Sequence, residues 1–149
     1  MKTLFIFRLA AALSLCWLLG TSPVIADDKP VNTPSSRPEV VIAGSSLKKI
    51  QDVTAKLFKG RDYVEKFRSD EELVYQKPYK KSAAPPGTAQ CLRIRIKISK
   101  EKNNAFKVMG LSYGVDDCGF NNESETPTPT AYPQIQGFLE TIKKSAGGK

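Results

Sequence analysis

The sequence predicts an α+β domain: a two-layer sandwich in which an antiparallel sheet of about four to five strands carries two helices on one face. Three patterns carry that expectation. Leu92, Ile94, Ile96 and Ile98 alternate strictly with Arg93, Arg95, Lys97 and Ser99. A period of two means a strand with one buried face and one wet face. Leu47, Ile50, Val53 or Thr54, and Leu57 recur at three- and four-residue steps, so they share one helical face. Ile135, Phe138, Leu139 and Ile142 do the same near the C-terminus.

Taken in order, Glu39 to Gly44 is a short β-branched run that reads as a strand. Ser45 or Ser46 caps the first helix. Gly60 stands where a left-handed C-terminal cap is wanted. Residues 61–68 and 73–78 read as two strands around the polar turn Ser69-Asp70-Glu71-Glu72, since Tyr63, Val64 and Phe67 suit strands. Residues 79–90 form a loop with Pro85-Pro86-Gly87 as its turn signal. Cys91 to Ser99 and Ala105 to Val115 form a hairpin across Lys100 to Asn104, and Gly110 and Gly114 mark a bulge or a close backbone approach. Residues 121–130 are polar and broken by proline, hence a long loop. Pro133 opens the last helix, and Lys143-Lys144 suit the negative pole at its end. The order strand, helix, hairpin, hairpin, helix has its simplest solution in one sheet with both helices on one face. The domain is expected over 39–145, with a tail at 146–149.

The N-terminus has the three parts of a secretory leader. Lys2 and Arg8 are positive, Leu9 to Leu19 is apolar and uncharged, and Val24-Ile25-Ala26 offers a cleavage point after Ala26. An uncleaved anchor fits less well. The unbroken apolar run is 11 residues, about 16 Å of helix, whereas a bilayer needs about 20 residues. Cys16 follows Leu15, and the residue before a lipidated cysteine is normally small. The expected product is periplasmic or secreted, with no integral membrane span after cleavage. Residues 27–38, with three prolines and no apolar period, read as a flexible tether.

Charge and cysteine content narrow the chemistry. Of 23 Lys+Arg and 15 Asp+Glu in the whole chain, the leader holds two cations and no acid. The mature chain therefore has 21 against 15, a formal charge of +6. It keeps Cys91 and Cys118. With Asn103-Asn104 at the hairpin tip, cross-strand partners sum to about 207 and the cysteines to 209, so a one-residue bulge or slight fraying brings them opposite. A disulfide closing the hairpin's open end is expected, worth about 3 kcal/mol for that loop length.

The candidate contact residues are Arg93, Arg95 and Lys97, about 6.6 Å apart along one sheet face, with help from Lys107. Such a row suits an acidic protein surface or an anionic envelope component. The competing reading is a solvated face, partly neutralised by Glu65, Glu71 or Glu72 on adjacent strands. The lysine-rich helix (Lys48, Lys49, Lys56, Lys59) reads in the same two ways. Nucleic acid fits poorly, because the aromatic residues show no stacking-platform spacing and the compartment is wrong for it.

Catalytic signals are sparse. The chain has no histidine, the usual general base and zinc ligand. Asp116-Asp117 and Asp70-Glu71-Glu72 are consecutive residues in turns, not carboxylates facing one another across a cleft. The Asn122-Glu123-Ser124 sequon reads as a chance match. No cofactor and no metal is expected. The sequence thus suggests a non-enzymatic envelope binding or accessory protein. The alternative is a small secreted inhibitor or immunity-type protein that blocks an enzyme through loops 79–90 and 119–130. A third, more remote option is a hydrolase using carboxylates alone.

Overall fold

A computed structural model describes residues 37–79 and 89–147. The leader, the tether up to residue 36, the loop residues 80–88 and the last two residues of the expected tail lie outside the described residues.

The fold is α+β, a two-layer sandwich, as the patterns predict. One antiparallel sheet is built from β1 (Glu39–Ala43), β2 (Val64–Arg68), β3 (Glu72–Pro78), β4 (Gln90–Lys100), β5 (Ala105–Asp116) and β6 (Ser124–Pro127). Its order is β1-β5-β4-β3-β2, with β6 also on β5. Helices α1 (Leu47–Lys59) and α2 (Tyr132–Ala146) cover one face. Among the described residues no helix is long and apolar enough to cross a membrane.

Helix α2 buries the stripe its spacing dictates, whereas α1 is rotated from expectation. Of Leu47, Ile50, Val53 or Thr54, and Leu57, only Ile50 and Thr54 are buried. Gln51 and Phe58 join them, and Leu47, Val53 and Leu57 are half-buried at the margin of the core. The Ser46 side chain accepts the Lys49 N–H at 3.2 Å, which satisfies one of the free amides of the first turn of α1. Ile50, Thr54 and Phe58 are buried below it, and the Thr54 hydroxyl donates back to the Ile50 carbonyl at 2.7 Å. In α2 the fully buried residues are Ile135, Leu139, Ile142 and Ala146. They pack onto Ile94, Ile96 and Ile98 of β4 with Val40, Ile42, Leu73 and Val108. The Phe58 ring stacks on Tyr75 at 4.5 Å between centroids and meets Tyr63 and Phe138 edge-on. Burial, then the Glu65 carboxylate, pushes the Tyr75 hydroxyl well above the usual tyrosine range.

Several local expectations need correction. Gly60 is not left-handed: its φ is −68°, and Asp62, two residues on, takes the positive φ of 63°. A short side chain that bonds locally tolerates that region. The expected loop at 121–130 contains strand β6, which pairs Ser124 with Asp116 and Pro127 with Tyr113. Pro38, placed at the end of the tether, is buried, and its carbonyl accepts the Gly110 N–H at 3.0 Å. Helix α2 continues through Ala146, whose carbonyl accepts the Ser45 hydroxyl at 3.0 Å, so the chain stays packed past residue 145.

The β4–β5 ladder runs without a break from Gln90↔Asp116 to Lys100↔Phe106. No bulge occurs at Gly110. That position is instead a close approach, because a Cβ there would overlap Ile135 of α2. The register shift lies in β2, between Glu65 and Phe67.

Candidate functional site

The register decides what the cationic row can do. Ile94, Ile96 and Ile98 stand opposite Ser112, Gly110 and Val108, facing the helices. Arg93, Arg95 and Lys97 stand opposite Tyr113, Leu111 and Met109 on the other face. That face is not simply wet. Val74, Leu111 and Val115 are buried there, and Arg95 lies between Val74 of β3 and Leu111 of β5. Long arginine stems can cover apolar surface while their heads reach polar partners.

The heads are engaged. Arg93 donates to Glu125 at 2.5 Å, to Glu123 at 2.9 Å and to the side-chain oxygen of Gln76 at 2.7 Å, with its side chain only 14% exposed. Arg95 bonds Glu125 at 2.8 Å and lies 3.6 Å from Glu72. Its guanidinium sits 5.8 Å from the Tyr113 ring centroid. Lys107 pairs with Glu39 at 2.8 Å. Lys97 is exposed and belongs to no ion pair among the described residues. The predicted row is therefore not an open line of charge: two arginines and Lys107 are spent on the protein's own carboxylates. Of the proposed neutralising acids Glu72 takes part, whereas Glu65 pairs with Arg68 at 2.7 Å.

The sequence reading missed Glu123 and Glu125. Their signal was present, since Glu123 and Glu125 alternate with Ser124 and Thr126 at a strand period. Pro127 and Pro129 hid it by resembling loop punctuation. Burial works against ionising Glu125, yet hydrogen bonds from Arg95 and Arg93 outweigh it and hold the carboxyl below its usual range. The Gly119 N–H, followed by Arg93, lowers Glu123 in the same direction.

Cys91 and Cys118 are bonded, with Cα atoms 6.0 Å apart. The route differs from expectation. Cross-strand partners sum to 206, so Cys91 faces Val115 and Cys118 lies beyond the ladder. The chain turns back through Asp117 at φ 53° and Gly119 at φ 92°. That turn is tied by the Cys118 N–H to the Ala89 carbonyl at 3.0 Å and by Asn122 to Asp117 at 2.6 Å. Gln90 donates to Asp116 at 2.5 Å. The two acids of this turn thus hold structure together rather than face a common cleft. Beside the disulfide lies a depression of about 520 Å³, with Val64, Lys66 and Tyr79 on its rim.

The helix layer contrasts with the sheet. Lys48, Lys49, Lys56, Lys59, Arg61, Lys143 and Lys144 accompany only Asp52, Asp62 and Glu140. Among the described residues, Lys48 is the one of these seven in an ion pair, with Asp52 at 3.0 Å. Between the helices runs an open groove of about 450 Å³, lined by Val53, Lys56, Leu57, Arg61, Thr141 and Ser145.

No protein-family model matches the chain, and no curated protein matches it. Among solved structures it is similar to the uncharacterized conserved protein YugN from Geobacillus kaustophilus HTA426, at 17% identity and a TM-score of 0.31, over 76% of this chain and 90% of that chain. A TM-score that low carries no argument about this chain, whose fold rests on its own strands and helices.

Proposed function

We propose that this chain is an exported, non-enzymatic binding or accessory protein that meets an acidic protein surface or an anionic envelope component through its cations. The observation that carries the reading is the division of charge. The sheet face answers Arg93, Arg95 and Lys107 with Glu123, Glu125, Glu72 and Glu39. Lys97 and six cations of the helix layer have no such partner among the described residues. Desolvated guanidinium–carboxylate clusters fix shape, while unpaired surface ammonium groups raise the local potential and draw anions. In this reading Arg93 and Arg95 shape the sheet face, and contact passes to Lys97 and to the lysines of the helices. The leader pattern supports placement in the periplasm or outside the cell.

Retention on immobilised polyglutamate tests it. The chain, in the form its host accumulates, is expected to bind at low salt and to elute as salt shortens the screening length. Lys97→Ser is expected to weaken retention without loosening the fold. Absence of salt-dependent retention would remove the reading.

A further inference from the structure

We propose that the outer surface of the α1–α2 layer docks onto an anionic phospholipid bilayer, with the groove between the helices at its centre. The inference rests on the anionic-partner reading above and names the partner and the surface.

The geometry comes first. In α1 the buried side is Ile50, Gln51, Thr54 and Phe58. Lys49 and Lys56 are exposed and seven residues apart, which places them on one outward line about two turns apart. Lys144 is exposed on α2, whose buried side is Ile135, Phe138, Leu139, Ile142 and Ala146. Val53 and Leu57 are half-buried in the groove, with Thr141 and Ser145 on the opposite wall. A shallow apolar strip rimmed by Lys56, Arg61 and two hydroxyls, with Lys49 and Lys144 exposed elsewhere on the same two helices, matches the chemistry of a headgroup layer over acyl chains.

The same molecule shows how it grips fixed carboxylates, and the helix layer is built differently. Where it holds Glu123 and Glu125, it uses arginine forks locked between strands. The one arginine of the helix layer is already occupied. Arg61 donates to the Leu57 carbonyl at 3.2 Å, and its guanidinium lies 4.8 Å from the Phe138 ring centroid. What remains is lysine: point charges on flexible stems, which suit a diffuse layer of lipid phosphates better than a set of fixed acids. Few carboxylates oppose it. Asp52 is held by Lys48, and Glu140 accepts from Gln136 at 2.9 Å.

Co-sedimentation tests the proposal, using the chain as its host accumulates it. Vesicles of phosphatidylglycerol in phosphatidylcholine are compared with phosphatidylcholine alone, at low and moderate salt. The triple variant Lys49→Ser, Lys56→Ser, Lys144→Ser removes three outward charges from the helix face. A charge-matched control, Lys66→Ser, Lys100→Ser, Lys102→Ser, removes three exposed charges from the sheet edge and hairpin tip, none of them placed in the contact surface. Thermal unfolding of both confirms that they fold. At roughly fivefold per lysine, the helix triple should lose about a hundredfold in partitioning to the anionic vesicles, and the control less than tenfold. Equal losses in the two triples, or none in the helix triple, would overturn the surface assignment. Binding to polyglutamate without binding to the anionic vesicles would overturn the bilayer and leave the acidic-partner reading standing. Binding to neither would remove both.

Discussion

The outer face of the sheet and the outer face of the helix layer are both rich in cations, yet they are built on different terms. On the sheet, Arg93, Arg95, Lys97 and Lys107 stand among Glu39, Glu72, Glu123 and Glu125, and among the described residues all but Lys97 are paired. On the helices, seven cations stand with three carboxylates, and among the described residues one ion pair forms within the set. The sheet side adds a disulfide and a short sixth strand, and its arginines lie over Val74, Leu111 and Val115. The helix side has an apolar core beneath and open ammonium groups above. The contrast separates charge that shapes a surface from charge left available to a partner. Arginine appears where several acceptors are fixed and close, while the lysines have at most one carboxylate each among the described residues (Lys107 with Glu39, Lys48 with Asp52).

If that division is right, damage to each side should be distinguishable. The largest effect is expected from Leu139→Ala, which empties a fully buried site between α2 and the sheet. It should cost about 4 kcal/mol in urea unfolding. Removing the disulfide with Cys91→Ala and Cys118→Ala should cost about 3 kcal/mol. Amide exchange should rise first in β6 and the 117–123 turn, while α2 stays protected. Uniform exchange across the domain would show that the two sides do not separate. Gly110→Ala forces Ile135 to move and should cost about 2 kcal/mol, an effect that Ile135→Val should partly relieve.

Acid provides a gentler probe of the sheet side. The Glu123 and Glu125 carboxyls titrate below their usual range in the folded chain. Their contribution is therefore present in full above the unfolded carboxylate pKa, about 4.3. It is lost as pH falls through the lower folded values. Stability measured against pH should decline in that window, and Glu125→Gln should flatten the decline. The smallest effect concerns Ser112, whose buried hydroxyl has no partner among the described residues. Ser112→Ala should raise stability by about 1 kcal/mol in thermal unfolding.

The layer architecture was legible because it follows from periodicity. Ile94, Ile96 and Ile98 face the helices as their alternation requires, and Ile50, Leu139 and Ile142 are buried as helical spacing requires, whereas Phe58 takes the buried place expected of Leu57. The cysteine pairing was legible from the hairpin, although its path through Asp117 and Gly119 was not. β6 escaped notice because four residues ending in Pro127, with Pro129 close behind, look like a loop until β5 offers them an edge. The candidate surface was harder still. Arg93 and Arg95 appear free in sequence because Glu123 and Glu125 lie 30 to 32 residues away, beyond the turn that carries Cys118.

Local patterning alone determined the class of fold, the two helical stripes, the buried face of β4 and the surplus of positive charge, because each depends on residues a few positions apart. Tertiary structure decided which cations remain available. Pairing is a matter of distance in space, and only the folded chain brings Glu123 and Glu125 to the arginines while leaving Lys49, Lys56 and Lys144 exposed and out of any ion pair among the described residues.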